Sequence, residues 1–145
     1  MTAEPLRLER HYNVPVARVF EIVTRADLLA QWWGPEGIVR SDGDLDFTAT
    51  GPWNSTMINA EGTRYKVSGQ VTKVDPPNLV AFTWGWHDDA DQRGNESHVT
   101  ISLTEDAGGT RFVLTHADLP NDEQVMRHNE GWTSSLRKLD AVVNG

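Results

Sequence analysis

"NDEQVMRHNEGWTSSLRKLDAVV", residues 121–143, is the stretch on which the fold turns. Val125, Trp132, Leu136, Leu139 and Val143 recur at spacings of seven, four, three and four, which marks one apolar stripe of a long α-helix. Asn121 followed three residues later by Gln124 resembles a capping box and sets the start. About 22 residues at 1.5 Å each make a rod of roughly 33 Å, long enough to cross a whole sheet.

What precedes that helix reads as such a sheet. "LVAFTWGW" (79–86) places Val80, Phe82, Trp84 and Trp86 on one face. "SHVTISL" (97–103) does the same with Val99, Ile101 and Leu103, and "TRFVLTH" (110–116) with Phe112, Leu114 and His116. Further upstream, "WNSTMIN" and "TRYKVSGQVTKV" flank a hairpin-like break at Glu61-Gly62, and "EDAGGT" gives a tight turn from Gly108 and Gly109. "HDDADQRGNE" (87–96) reads as a polar loop. The chain opens with a strand, "LRLERHY" (6–12), and then a helix whose first turn suits Pro15 and whose stripe is Val16, Val19, Phe20 and Val23. A second short helix is expected over "ADLLAQWW", stopped by Gly34-Pro35. The order is strand, two helices, about six strands, long helix. Helices segregated against an antiparallel sheet mean α+β, and 145 residues suit one domain, 1–145.

Composition excludes several functions. With 13 Lys plus Arg against 21 Asp plus Glu, the net charge is -8, a poor match to phosphate backbones or anionic membranes. There are no cysteines, so thiolate catalysis and Cys-ligated metal are out. The start "MTAEPLRLER" lacks an apolar leader, and no run approaches the ~20 apolar residues that span a bilayer. A cytoplasmic protein without nucleic-acid or membrane partners is expected.

Sharper chemistry finds little support in spacing. Ser134-Ser135 lie mid-helix with no nucleophile turn. "DADQRG" starts like a calcium loop but carries Arg93 at its fifth position and Thr100 at its twelfth, so the bidentate acid is missing. His87 beside Asp88 and Asp89 lacks a third defined ligand, and no metal or cofactor is expected. The acid/base candidates are His116, Glu96 and Asp46, and no spacing forces a pair of them together.

The tryptophans are more informative. Six of them come from the short helix (Trp32, Trp33), the strands (Trp53, Trp84, Trp86) and the long helix (Trp132). Each buries roughly 150–250 Å² and carries one N–H donor. Such a set packs a core, or walls a small-molecule cavity if sheet and helix curve around a common space. Gly131 and Ser135 beside Trp132 would leave room under the helix. The cavity expected on this reading is lined by Trp32, Trp53, Met57, Phe82, Trp84, His116, Trp132 and Ser135, with His116 its one weak catalytic candidate. Of the adjacent pair in "LLAQWWGPEG" (28–37), Trp32 is expected to face inward and Trp33 to cover the junction into the next strand.

These residues carry a family likeness. "VPVARVFEIVTRADLLAQWWGPEG", "DFTATGPWNSTMINAEG", "VSGQVTKVDPPNLVAFTW", "SHVTISLTEDAGGTRFVLTH" and "GWTSSLRKLDAVV" follow one another in the order seen in one family. The chain resembles the family named for the activator of the heat shock protein 90 ATPase, homologue-1-like, in the START-like (Bet v 1-like, SRPBCC, helix-grip) superfamily. It departs at "TGPW", where Thr50 stands in place of the first residue of a usual Gly-Gly pair. The resemblance implies a curved antiparallel sheet gripping a long C-terminal helix, with a cavity between them and two short helices after the first strand. Function is left open between three expectations. The first is binding of a small apolar or aromatic ligand. The second is co-chaperone-like activation of a heat shock protein 90 ATPase in the stress response, although this stretch does not match the additional N-terminal domain of eukaryotic activators. The third is a polyketide cyclase/aromatase-like activity.

Overall fold

The computed structural model describes residues 4–145. In chain order the elements are β1 (Leu6–Tyr12), α1 (Val16–Thr24), α2 (Ala26–Leu29), β2 (Ile38–Asp42), β3 (Gly51–Asn59), β4 (Arg64–Asp75), β5 (Leu79–Trp86), β6 (Ser97–Asp106), β7 (Gly109–Ala117) and α3 (Asp122–Asn144). The strands form one sheet, ordered β1-β7-β6-β5-β4-β3-β2, in which every neighbouring pair is antiparallel. This is the α+β helix-grip fold, a curved sheet wrapped on α3 with the short helices early in the chain.

Side-chain alternation decides which face of each strand is dry. Val80, Phe82 and Trp84 of β5, Val99, Ile101 and Leu103 of β6, and Phe112, Leu114 and His116 of β7 all turn toward α3 and are buried. The stripe of α3 meets them with Trp132, Leu136, Leu139 and Val143. At the helix start Asn121 Oδ1 accepts from Gln124 N at 2.9 Å, so a donor that the helix leaves open is satisfied. Asp122 and Glu123 place negative charge in the first turn, favourable to the helix dipole. Tyr12 ties β1 to the far end of α3 by donating its hydroxyl to Asp140 Oδ1 at 2.6 Å. Burial, together with that carboxylate, pushes the phenol well above its ordinary range.

Two local expectations are corrected. The second helix ends at Leu29 rather than Trp33. Beyond it the chain tightens, with Trp32 N donating to Leu29 O at 3.2 Å before Gly34 turns it at φ +80°. The run after the helices begins with β2, Ile38–Asp42, which is too polar and short to stand out by alternation. The turn between β6 and β7 centres on Ala107 and Gly108, both with positive φ, while Gly109 opens β7. Paired positive φ values are what a two-residue hairpin turn demands.

Candidate functional site

A cavity of about 530 Å³ lies between the 33–38 loop, the inner faces of β3 to β5 and the N-terminal half of α3. Its apolar walls are Trp33, Pro35, Ile38, Met57, Tyr65, Trp84, Trp86 and Trp132. Asn59, Gln124, Arg127, His128 and Ser135 add polar groups. Room is left beneath the helix at Gly131, where an added Cβ would meet nothing within 4 Å. An interior glycine costs a helix about 1 kcal/mol relative to alanine, so the sequence gives up helix stability at the position that opens the cavity.

The 33–38 loop is fixed to α3 by polar clamps. Lys138 Nζ donates to Trp33 O and Gly34 O at 3.1 and 3.0 Å. Glu36 N donates to Ser134 Oγ at 2.7 Å, and Arg137 Nε donates to Glu36 Oε1 at 2.9 Å. Partial burial lowers the Lys138 ammonium from its ordinary range, and the bond from Arg137 lowers the Glu36 carboxyl. Gly34 lies so close to the sheet that a Cβ there would stand 2.9 Å from Met57 Sδ. The loop is thus held at both backbone and side-chain level as one rim of the cavity.

Trp33 is the hub of the aromatic cluster. Its ring lies 5.7 Å from those of Phe47, Trp53 and Trp84 and 5.9 Å from Trp132. Its Nε1 donates to Ser55 Oγ at 3.0 Å. Trp32 instead turns back beneath α1, donating to Ile22 O at 3.0 Å, fully buried. Of the pair it is therefore Trp33, and not Trp32, that reaches the cavity. The early end of α2 removes the continuous helix from which Trp32 would have reached the sheet.

Two indole–imidazole pairs stand at the cavity, with only His116 behind its lining. Trp132 Nε1 donates to His116 Nδ1 at 3.0 Å, so His116 carries its proton on Nε2, 2.7 Å from Ser97 Oγ. Ser97 Oγ donates in turn to Trp84 O at 3.3 Å. Trp86 Nε1 donates to His128 Nε2 at 3.0 Å, and His128 Nδ1 then donates to Gln124 O at 2.7 Å. Both imidazoles are neutral. Burial, with smaller repulsion from His128 and His98, pushes His116 down to about 3, and burial also lowers His128. Trp84 Nε1 is the buried side-chain donor left without an acceptor among the described residues.

Of the expected lining, the structure brings Met57, Trp84, Trp132 and Ser135 to the cavity. Trp32, Trp53, Phe82 and His116 do not line it. Trp53 and Phe82 pack against Trp33 from below, with Trp53 Nε1 bonded to Thr83 O at 3.1 Å. His116 is fully buried with both ring nitrogens engaged, so it offers a substrate neither a free lone pair nor a loosely held proton. Sequence reasoning missed Trp33, Trp86 and His128. Trp86 shares the alternation of Trp84, and His128 falls at the helical step between Val125 and Trp132, so both carried a usable signal. No cluster of metal-ligating side chains occurs among the described residues, and no helix among them is long and apolar enough to cross a membrane.

Residues 13–144 match the model of the family described as Activator of Hsp90 ATPase homolog 1-like protein. None of the curated proteins matches the chain. Among solved structures, an AHSA1 protein from Silicibacter pomeroyi is 55% identical, with a TM-score of 0.90 over 95% of this chain and 96% of that one. A Chromobacterium violaceum protein at 24% identity, with a TM-score of 0.85 over 97% of each chain, shares the fold. So does a Mycobacterium smegmatis protein at 24% identity, with a TM-score of 0.78 over 96% of this chain and 90% of that one. Fold, order of elements and family model agree, and the chain belongs to the Activator of Hsp90 ATPase homolog 1-like family.

Proposed function

We propose that the protein binds a small, flat, largely apolar molecule in the cavity beneath α3. The observation that carries this reading is a volume of about 530 Å³ walled by four indoles and Met57 and opened by Gly131. Rigid aromatic walls with few polar groups are how small-molecule sites are built. The flexible thioether of Met57 adapts to an irregular ligand edge. Ser135, Gln124 and Asn59 supply the polar contacts that would orient it. The locked imidazoles leave this site with no group poised for acid/base work, which favours carriage or sensing over turnover.

Ligand-observed NMR against a panel of fatty acids, flavonoids and aromatic polyketides tests the reading, with Gly131→Leu as the control that fills the cavity. Binding to the wild type that disappears in Gly131→Leu, at a urea midpoint no lower than that of the wild type, is the expected result. A panel with no binder, or binding indifferent to Gly131→Leu, refutes it. A second reading, stimulation of a chaperone ATPase, is favoured by the family match alone. An unchanged rate for the source cell's heat shock protein 90 at saturating protein removes it.

A further inference from the structure

The face of the sheet turned away from α3 carries a constellation that the cavity does not use. Along β4, Val67 and Val71 point into the core while Lys66 and Ser68 stand on the opposite face. Beyond β5 the 87–96 loop folds back on itself. His87 N donates to Lys66 O, Asp88 N to Gln92 O and Gly94 N to Trp86 O, at 2.9, 3.0 and 2.8 Å. Asp88 Oδ1 accepts from Ala90 N and Gln92 N, both at 2.9 Å, which fixes the turn.

That loop brings three residues into line. His87 Nε2 lies 2.7 Å from Ser68 Oγ, and His87 Nδ1 lies 2.8 Å from Asp91 Oδ1. Lys66 Nζ donates to the same Asp91 oxygen at 3.0 Å. An ionised carboxylate only accepts, so the imidazole proton sits on Nδ1 and leaves Nε2 to take the proton of Ser68. Beside them, Arg93 Nε and Nη2 donate to Ser68 O at 3.3 and 3.0 Å. Gly85, the register partner of Ser68, is what admits this guanidinium, since a Cβ there would stand 2.5 Å from Arg93 Cζ.

We propose that Ser68, His87 and Asp91 form a nucleophilic centre that cleaves small, unhindered carboxylic esters through an acyl-serine, with Arg93 beside the developing oxyanion. Ser68 Oγ attacks the ester carbonyl while its proton passes to His87 Nε2. The tetrahedral oxyanion forms next to the Arg93 cation. Its collapse breaks the ester C–O bond, and the departing alkoxide takes the proton from His87. Water then attacks the acyl-serine, gives a proton to His87 and releases the carboxylic acid as Ser68 recovers that proton. Ser68, His87 and Arg93 are the catalytic residues. Asp91 is a positioning residue that fixes the imidazole tautomer, and Lys66 holds Asp91. The centre lies on an open sheet face, so it suits short acyl groups such as acetyl.

The test is hydrolysis of p-nitrophenyl acetate, together with labelling by a fluorophosphonate probe followed by peptide mass spectrometry. The expected result is probe mass on the Ser68 peptide, absent in Ser68→Ala. Hydrolysis is expected to fall about 100-fold or more in Ser68→Ala and in His87→Gln. Asp91→Asn lowers kcat at least tenfold while KM stays within twofold, a split that loosened structure alone would not give. Circular dichroism and urea midpoints confirm that the outward-facing variants fold. Met126→Ala, an exposed position of α3 that belongs to neither site, leaves the hydrolysis unchanged. No label on Ser68, or a loss under tenfold in Ser68→Ala, overturns the proposal.

Discussion

His116 makes acid sensitivity a quantitative matter. Its ring is fully buried between Trp132 and Ser97. Protonating Nδ1 would set two donors, imidazolium and indole, against each other. Burial therefore holds it neutral down to about 3, against an ordinary value of 6.5. Between those values the unfolded chain binds the proton and the folded chain does not. The contribution to stability is complete above pH 6.5 and is lost as pH falls toward 3. At 1.36 kcal/mol per unit, the whole window is on the order of 5 kcal/mol, and the portion between pH 7.5 and pH 5.0 is about 2 kcal/mol.

Other groups titrate over the same range, so the measurement is a difference. Gln at position 116 keeps an acceptor for Trp132 and a donor for Ser97 but carries no titratable proton. Urea unfolding of wild type and His116→Gln is followed by tryptophan fluorescence at pH 7.5, 6.5, 5.5 and 5.0. The stability difference, wild type minus variant, is expected to fall by about 2 kcal/mol across that series. His128, also held neutral by burial, is present in both proteins and cancels to first order. A difference that stays flat within about 0.5 kcal/mol would mean that His116 protonates alike in folded and unfolded chains. That result would refute the buried indole–imidazole pair.

Three further outcomes follow from the same packing. Trp84→Phe removes a buried donor that has no acceptor, so it is expected to stay within about 1 kcal/mol of wild type in urea, whereas Trp53→Phe orphans Thr83 O and costs about 1–3 kcal/mol. Lys138→Met deletes both bonds to the 33–38 loop. It should lower stability by about 1–3 kcal/mol and speed amide exchange in that loop relative to α3. Gly131→Ala adds a methyl into open space and should raise the urea midpoint by an amount worth up to about 1 kcal/mol; a loss instead would show that the space above Gly131 is filled.

How far the sequence carried the reading depends on what kind of pattern each feature leaves. Periodicity is a local property, and it placed the strands and α3 because Val80, Phe82 and Trp84, or Trp132, Leu136 and Leu139, repeat within a few residues. The lining of the cavity is not periodic. It depends on where α2 stops, and one lost helical turn after Leu29 sent Trp32 beneath α1 and Trp33 across the sheet. His116 looked available in sequence because it shares the apolar face of β7 with Phe112 and Leu114. Its partners, Ser97 and Trp132, lie 19 and 16 residues away, and no spacing rule joins them. The same holds on the other face, where Ser68 meets His87 across a strand pair and Asp91 only through a loop that reads as plain polar linker. Apolar side chains announce their neighbours through repetition, because burial acts on whole faces. Polar side chains are fixed one hydrogen bond at a time, so the chemistry of both faces became legible only once the loops at 33–38 and 87–96 were in place.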